Sequence, residues 1–296
     1  MARLVAEQFP EWAHLPVAEV VPGGNDNRTF RLGADLSVRL PSAAGYVPQV
    51  AKEHRWLPIL AETLPLAVPV PVAQGKPGSD YPWPWSVYRW IDGSTVDAGG
   101  PVDPIDCASS LGDFLAALHR VDPTDGPPPG EHNFHRGGPL ATYDAETRES
   151  ITGLGPAIPG DAAVAVWDAA LAATWTAPPV WVHGDIAAGN LVLRDGYLAA
   201  VIDFGCCGVG DPACDLTIAW TLLEGPSREV FRDRVLMDES TWARARGWAL
   251  WKALITLVHH IGTGAEEEAA AHRVISEVLA DHHFDRQRGP ASPESS

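Results

Sequence analysis

Alternating apolar and polar residues mark the start of the chain, up to about residue 91, as strand-rich. The segments RTFRLG and LSVRLP alternate on either side of Gly33, which predicts a hairpin over residues 28–40. Apolar residues at helical spacing predict a helix over 47–64, and the proline-rich segments after it indicate short edge strands. The segment SVYRWIDG, 86–93, predicts the last strand before a glycine-rich link.

From about residue 103 the spacing of the apolar residues becomes helical. Asp103 can cap a helix that has Pro104 at its first position, and a long proline- and glycine-rich loop follows over 122–140. Further helices are predicted over 161–175, 212–224, 227–237, 239–262 and 265–283.

This change of pattern divides the chain into two parts and a tail. We predict an N-terminal lobe over 1–91, a C-terminal lobe over 92–284 and a disordered tail over 285–296. With 296 residues, 46% of them hydrophobic, the chain is long enough to bury a sizeable core. The predicted fold class is α+β, with a small antiparallel sheet and one main helix in the first lobe and mostly helices in the second.

Three polar residues interrupt an otherwise apolar stretch, VWVHGDIAAGNLVLRDGYLAAVIDFG, which spans residues 180–205. They are Asp185, Asn190 and Asp203. The Asp195–Gly196 pair between two apolar runs predicts a hairpin with a type I′ turn, since that turn needs positive φ at both positions. Counting back from this turn pairs Asn190 with Val201, which brings the three polar residues together at the open end of the hairpin.

Such a group of residues has a chemical interpretation and a structural one. Asn190 and Asp203 can offer oxygen ligands to Mg²⁺, which is commonly held by one or two protein side chains together with substrate phosphates and water. Asp185 is then a base for an acceptor hydroxyl. Alternatively, each side chain caps a turn or bonds the loop backbone. We favour the chemical interpretation because all three converge.

The motif HGDIAAGN, followed thirteen residues after Asn190 by the aspartate of DFG, resembles the catalytic loop and metal-binding segment of the aminoglycoside phosphotransferase family. The resemblance extends from about residue 20 to about residue 260. It implies a two-lobed, protein-kinase-like fold, with Asp185 as the catalytic base and Asn190 and Asp203 as Mg²⁺ ligands. His183 would shape the loop, which is also the usual structural role of a lone histidine.

The resemblance also implies a cation that holds the nucleotide phosphates at the end of DLSVRL. Arg39 stands there, where protein kinases carry lysine. Arginine keeps the charge and can bind phosphate with two donors. Glu53, on the predicted helix, is the expected partner. The alternatives are an exposed strand residue for Arg39 and a solvated helix face for Glu53.

Two further segments are expected to contact ATP or GTP. VPGGNDNRTFRLG stands in the place of the glycine-rich nucleotide loop without matching its spacing, and Asn25 is the candidate contact there. An ordinary hairpin loop is the alternative. The strand SVYRWIDG would lie against the nucleotide base through its backbone, with Tyr88, Trp90 and Ile91 as the candidate contacts.

Charge and composition limit the classes of partner that the protein can have. The chain has 21 basic and 38 acidic residues and a formal net charge of −17, which disfavours nucleic acid and can help attract a cationic small molecule, although solubility explains it equally. No apolar run is long enough for a membrane span, and no signal peptide is recognisable, so a cytoplasmic protein is expected. The four cysteines lack zinc-binding spacing and are expected to be reduced thiols.

The predicted function is therefore a Mg²⁺-dependent small-molecule kinase. It would transfer the γ-phosphoryl group of ATP or GTP to a hydroxyl of an aminoglycoside-like or other small acceptor, with antibiotic resistance as one biological outcome. A metabolite kinase of the choline, homoserine or sugar type and a non-catalytic nucleotide-binding module are the alternatives. Glu131 and Arg136 of the 122–140 loop are among the charged candidates for the acceptor side, while Trp248 and Trp251 are expected to pack in the interior.

Overall fold

A five-stranded antiparallel sheet forms the N-terminal part of the chain, as the alternating pattern predicts. The computed structural model describes residues 1–21, 23–24, 26–78, 80–100 and 102–288. Helix α1 (Ala2–Gln8) precedes strands β1 (Val17–Glu19), β2 (Asn27–Leu32) and β3 (Leu36–Pro41), helix α2 (Val47–Ala61), and strands β4 (Pro71–Gly75) and β5 (Trp85–Arg89). The strand order is β1-β2-β3-β5-β4, so β5 lies between β3 and β4.

The β2–β3 hairpin and the helix after it confirm the sequence prediction. The hairpin extends from the Asn27–Pro41 pair to the Leu32–Leu36 pair, and Gly33 in its turn has a φ of +63°. Helix α2 begins at the predicted residue and ends at Ala61, with its apolar face buried against β4 and β5. The buried apolar residues of this helix include Val50, Leu57 and Leu60.

The chain passes from the sheet to the helical part within residues 90–93, after which a short strand, β6 (Ser94–Thr95), follows. The remaining elements are α3 (Pro104–Leu118), α4 (Asp144–Leu154), α5 (Gly160–Ala172), β7 (Val180–Val182), β8 (Leu191–Arg194), β9 (Tyr197–Val201), β10 (Gly208–Gly210), α6 (Ile218–Thr221), α7 (Gly225–Val235), α8 (Glu239–His260) and α9 (Glu266–Arg288). Strand β6 pairs with β8, and β7 pairs with β10.

The start of α3 has the predicted cap. Asp103 accepts hydrogen bonds from the backbone N–H groups of Ile105 at 2.8 Å and Asp106 at 3.3 Å, and Pro104 occupies the first turn. Two other helices differ from the prediction. Residues 212–224 form a 3₁₀-helix followed by the short α6, and α4 was not predicted because its sequence, DAETRESITGL, is mostly polar.

The predicted β8–β9 hairpin is present, but its register differs by one residue at the open end. Asp195 and Gly196 have φ values of +55° and +84°, as a type I′ turn requires. A bulge at Ala199 then pairs Leu191, rather than Asn190, with Val201. The bulge lets the Ala199 carbonyl accept a hydrogen bond from the N–H of Ala67 at 3.1 Å. The predicted pairing of Asn190 with Val201 was therefore wrong.

The last helix is longer than the sequence indicates. Helix α9 continues through residues 285–288, which were predicted to belong to a disordered tail, and residues 289–296 lie outside the described part of the chain. Within the described ranges, no helix combines the length and the hydropathy that crossing a membrane requires.

A buried ion pair joins α8 to the segment that follows β10. Arg244 donates from Nε to Asp211 Oδ2 at 2.6 Å and from Nη2 to Asp211 Oδ1 at 3.1 Å. Asp211 also accepts a hydrogen bond from the N–H of Ala213, and thereby caps the 3₁₀-helix that begins at Pro212. The sequence predicts the cap, but it does not indicate the arginine.

We expect Arg244→Leu to lower the free energy of unfolding by about 3 kcal/mol, because it leaves the carboxylate of Asp211 buried without its partner. Arg234 forms an exposed ion pair with Asp113 at 3.1 Å and offers a matched control. Arg234→Leu should change the free energy by less than about 1 kcal/mol. Urea denaturation of both variants measures the difference, and equal losses would contradict a structural role of the buried pair.

Candidate active site

A buried carboxylate holds the loop that carries Asp185. Asp215 accepts a hydrogen bond from the N–H of His183 at 2.7 Å and another from the N–H of Gly184 at 2.6 Å. Gly184 has a φ of +84°, and a Cβ at this position would lie 2.4 Å from the carbonyl oxygen of Cys206, so the loop requires glycine here. Burial raises the pKa of Asp215, and the neighbouring His183 opposes this effect.

His183 shapes the loop from inside, as the sequence predicts. Its side chain is fully buried, and its Nε2 lies 3.0 Å from the carbonyl oxygen of Ile202. Its Nδ1 accepts a hydrogen bond from the N–H of Asp185 at 3.2 Å. Nε2 must therefore carry the proton and donate to the carbonyl. The ring also packs edge-on against Phe204, with the ring centres 4.5 Å apart.

Asp185 and Asn190 come together as the sequence predicts. Asn190 Nδ2 donates hydrogen bonds to the backbone oxygen of Asp185 at 2.9 Å and to its Oδ2 at 3.3 Å. The other carboxylate oxygen, Oδ1, lies 2.8 Å from the ammonium of Lys252 on α8. Sequence reasoning did not identify Lys252, although it is the single charged residue in the apolar run GWALWKALITLV.

The ammonium of Lys252 helps to keep Asp185 ionised. Burial by itself would raise the pKa of Asp185, but Lys252 together with His183 and Arg136 outweighs burial, and the pKa is lowered. The carboxylate is therefore ionised at neutral pH. A carboxylate of lowered pKa is a weak base, so its contribution to catalysis would be chiefly to orient an acceptor hydroxyl and to accept its proton late.

Arg39 bridges two carboxylates from different parts of the chain. Its Nη2 lies 2.7 Å from Oδ1 of Asp203, and its Nη1 lies 3.5 Å from Oε1 of Glu53. Asp203 adopts the left-handed conformation with a φ of +67°, which turns the chain sharply after β9. The pairing of Arg39 with Glu53 that the sequence predicts is present, and the contact with Asp203 is an additional finding.

Glu53 is held from behind by Tyr88, whose hydroxyl donates a hydrogen bond to Glu53 Oε2. Burial raises the pKa of Glu53, and Arg39 opposes this effect. Burial likewise disfavours the charge of Arg39, but the carboxylates of Asp203 and Glu53 hold its pKa above the ordinary value. Arg39 and Glu53 therefore depend on each other for their ionisation.

Helix α2 also contacts the DFG segment directly. Lys52 is buried, and its ammonium donates hydrogen bonds to the carbonyl oxygens of Gly205 at 2.7 Å and Cys207 at 3.0 Å. A Cβ at Gly205 would lie 2.7 Å from Oε1 of Gln49 on the same helix. Sequence reasoning missed both helix residues. Gln49 stands four residues before Glu53 and three before Lys52, so it neighbours both on the helix surface, and this spacing was the available signal.

Asn190 and Asp203 carry the kind of oxygen atoms that a magnesium ion takes as ligands. The amide nitrogen of Asn190 is bonded to Asp185, which leaves its oxygen for a ligand, and Asp203 offers a carboxylate. Within the described ranges, no group of three or more His, Cys, Asp or Glu side chains is arranged to hold a metal ion. Mg²⁺ does not need such a group when substrate phosphates and water complete its coordination.

The loop that stands in the place of the nucleotide loop is described only in part. Asn25, the predicted contact, lies outside the described residues. The next residue, Asp26, accepts a hydrogen bond from Gln49 Nε2 at 3.2 Å. Burial raises the pKa of Asp26, and the nearby Asp203 adds to the rise although Gln49 opposes it.

The three residues predicted to contact the nucleotide base, Tyr88, Trp90 and Ile91, differ in their surroundings. The side chain of Tyr88 is buried beneath Arg39 and bonds Glu53, so it supports the ion pair. Trp90 and Ile91 follow β5 and are half-buried. The guanidinium of Arg31 lies 4.3 Å from the ring centre of Trp90. Contacts of these three residues with a nucleotide stay a prediction.

An aromatic platform surrounds Trp251, the residue before Lys252 on α8. Tyr143 stacks on Trp251 with ring centres 4.0 Å apart, and Trp248 packs edge-on against Trp251. The guanidinium of Arg136 covers the two indoles, at 4.8 Å from the ring centre of Trp251 and 5.2 Å from that of Trp248. Both tryptophans are buried, as the sequence predicts.

Solved structures of other proteins share the fold of this chain. The GDP complex of wild-type aminoglycoside 2'-phosphotransferase-IIIa has a TM-score of 0.71 at 16% identity, covering 95% of this chain and 97% of that chain. The apoenzyme of a macrolide 2'-phosphotransferase from Brachybacterium faecium has a TM-score of 0.62 at 24% identity, covering 92% and 96%. The predicted kinase-like, two-lobed fold is confirmed.

The family of the chain follows from a match to a sequence profile. The profile of the phosphotransferase enzyme family matches residues 17–248. The chain therefore belongs to this family and is a phosphotransferase, as the motif around Asp185 predicts. No curated protein matches the sequence.

We expect Lys252→Met to raise the pKa of Asp185, because the ammonium that opposes the effect of burial is lost. Carboxyl NMR of ¹³C-labelled protein measures the pKa directly. Since the pKa of Asp185 is depressed in the folded protein, the ion pair stabilises the fold above the unfolded-state pKa of 3.8, and this stabilisation is lost as the pH falls through the folded-state value. Stability should therefore fall less steeply with acid in the variant.

Lys76→Met is the matched control, because Lys76 is exposed and its hydrogen bonds to Gln8 involve only the backbone. This variant should leave the pKa of Asp185 unchanged. A wild-type pKa of Asp185 in Lys252→Met would show that the contact with Lys252 is not formed in solution.

Proposed function

We propose that the protein is a small-molecule kinase that transfers the γ-phosphoryl group of ATP or GTP to an alcohol, with Mg²⁺ as the metal. The observation that supports this most strongly is the convergence at one end of the β8–β9 hairpin. There Asn190 bonds Asp185, and Asp203 carries the Arg39 ion pair. A nucleotide-binding module without catalysis would not need Asp185 beside these groups.

Each residue in this group has a distinct role in the proposed reaction. Asp185 orients the acceptor hydroxyl and takes its proton, while Asn190 and Asp203 hold the metal. When bound, Mg²⁺ would neutralise charge on the nucleotide phosphates. Because a guanidinium has five N–H donors, Arg39 can keep both carboxylate partners and still offer a donor to phosphate. Phosphoryl transfer depends mainly on such positioning and charge neutralisation.

The relatives support nucleotide use and give two acceptor classes to test. Their structures include complexes with GDP and with ADP, so both purines stay open for this chain. One related structure contains kanamycin and another gentamicin, while others are macrolide phosphotransferases. We propose an acceptor of comparable size with an accessible hydroxyl. A cytoplasmic location would supply the nucleoside triphosphate.

We expect Asp185→Ala to lower turnover by about 10²-fold or more, the scale for a positioned acid–base group. The assay is release of ADP or GDP in the presence of a panel of hydroxylated antibiotics and metabolites. Calorimetry should find nucleotide affinity largely unchanged, since Asp185 is not proposed to hold the metal. Asp113→Ala removes an exposed carboxylate on α3 and should keep full turnover. Unaltered turnover in Asp185→Ala would refute its role.

We expect Asp203→Asn to weaken binding of the Mg–nucleotide by about tenfold or more, because the metal loses its single protein carboxylate. Asparagine tolerates the left-handed backbone at this position, so the turn is kept. Calorimetry with Mg²⁺ measures the affinity for the Mg–nucleotide, and calorimetry with a chelator measures the affinity for the metal-free nucleotide. Affinity for the metal-free nucleotide should not fall, because Arg39 is freed for phosphate. If Asp203→Asn matches the wild type with Mg²⁺ present, Asp203 does not hold the metal.

A further inference from the structure

Lys252 occupies the position next to Asp185 that an acceptor hydroxyl must reach. Its ammonium is 2.8 Å from Oδ1, and Oδ2 is engaged by Asn190. The side chains of Lys252 and Asp185 are 45% and 33% exposed, so the ion pair is accessible from solvent. Among the described residues, Asp185 is the only partner seen for this ammonium. An acceptor that binds Asp185 must therefore displace or share the contact with Lys252.

A second cation covers the neighbouring aromatic surface. Arg136 lies over the rings of Trp251 and Trp248 and forms no ion pair with a described residue. A nearby carboxylate, that of Glu146, accepts a hydrogen bond from the indole N–H of Trp251 at 2.7 Å. Both tryptophans are buried beneath Arg136, so this surface presents the guanidinium instead of an aromatic face to a ligand.

The protein's own side chains thus occupy both features that could bind a positively charged acceptor here. The carboxylate of Asp185 is paired with Lys252, and the aromatic platform is covered by Arg136. A cationic acceptor would have to break an existing ion pair and would meet two like charges at close range. A neutral group beside the acceptor hydroxyl meets no like charge, and an anionic group gives the displaced ammonium a partner.

We propose that Lys252 is a specificity-determining residue that excludes cationic acceptors, so that the alcohol phosphorylated by this protein is uncharged or anionic beside its reacting hydroxyl. This inference rests on the proposed kinase function and narrows its acceptor class. It separates this chain from those relatives whose structures contain aminoglycosides, which are polycations. Arg136 strengthens the selection by adding positive charge on the same side.

The test is a charge series at residue 252, with kanamycin as the cationic probe. Calorimetry in the presence of Mg²⁺ and a non-hydrolysable nucleotide should give weak binding to the wild type and to Lys252→Arg. Lys252→Gln should bind kanamycin more tightly than the wild type. Lys252→Glu should bind it at least about tenfold more tightly, because a like charge next to the ligand is replaced by an opposite one. Higher salt should reduce the difference. A merely structural lysine would not produce affinities ordered by charge.

Arg234→Glu is the matched control, because it makes the same change in net charge at an exposed ion pair on α7. It should bind kanamycin as weakly as the wild type. Equal affinity of the wild type and Lys252→Glu, including undetectable binding to both, would overturn the inference. So would tight binding by Arg234→Glu equal to that of Lys252→Glu, because general charge would then explain the effect.

Nucleotide hydrolysis by the same samples tests the proposed kinase function separately. The wild-type protein should hydrolyse ATP or GTP slowly with Mg²⁺, and an alcohol acceptor should stimulate release of the nucleoside diphosphate. Absence of hydrolysis and of transfer would count against the kinase function, whereas the affinity series would still decide on the role of Lys252. Kanamycin phosphorylation by the wild type as fast as by Lys252→Glu would also overturn the inference.

Discussion

The candidate site depends on the ion pair between Arg39 and Asp203, because this contact joins strand β3 of the sheet to the segment that follows β9. Arg39 also reaches Glu53 on α2, and its own side chain is only 14% exposed. Lysine would offer one compact charge at this position, whereas the planar guanidinium can face two carboxylates at once. The arginine at the kinase lysine position is therefore explained by its two partners.

Helix α2 determines where both ends of this ion pair lie. Glu53 points to Arg39, while Lys52, the residue before it, bonds the carbonyl oxygens of Gly205 and Cys207. A movement of the helix would thus shift the partner of Arg39 and the segment after Asp203 together. Since Tyr88 fixes Glu53 from the opposite side, the sheet, the helix and the proposed metal ligand form one connected unit.

Local sequence was enough to place the three central polar residues, because the Asp195–Gly196 turn brings them to one end of a short hairpin. It was not enough for the register, since the bulge at Ala199 depends on a hydrogen bond to Ala67 in a distant segment. Lys252 was missed for the same reason: it is 67 residues from Asp185, and only the packing of α8 brings it there. The one signal available was a single lysine within the apolar run GWALWKALITLV of α8.

Net charge by itself does not decide which acceptor a kinase of this kind binds. The formal charge of −17 indicates a protein that can attract cations, but exposed charges more than a Debye length of about 8 Å apart are largely screened at physiological salt. The groups within contact distance of an acceptor therefore dominate its selection. Here Lys252 pairs with the carboxylate of Asp185 and Arg136 covers the aromatic platform, so the local field is less negative than the total charge suggests. An acidic surface can raise the concentration of cations around the protein while the site itself rejects them.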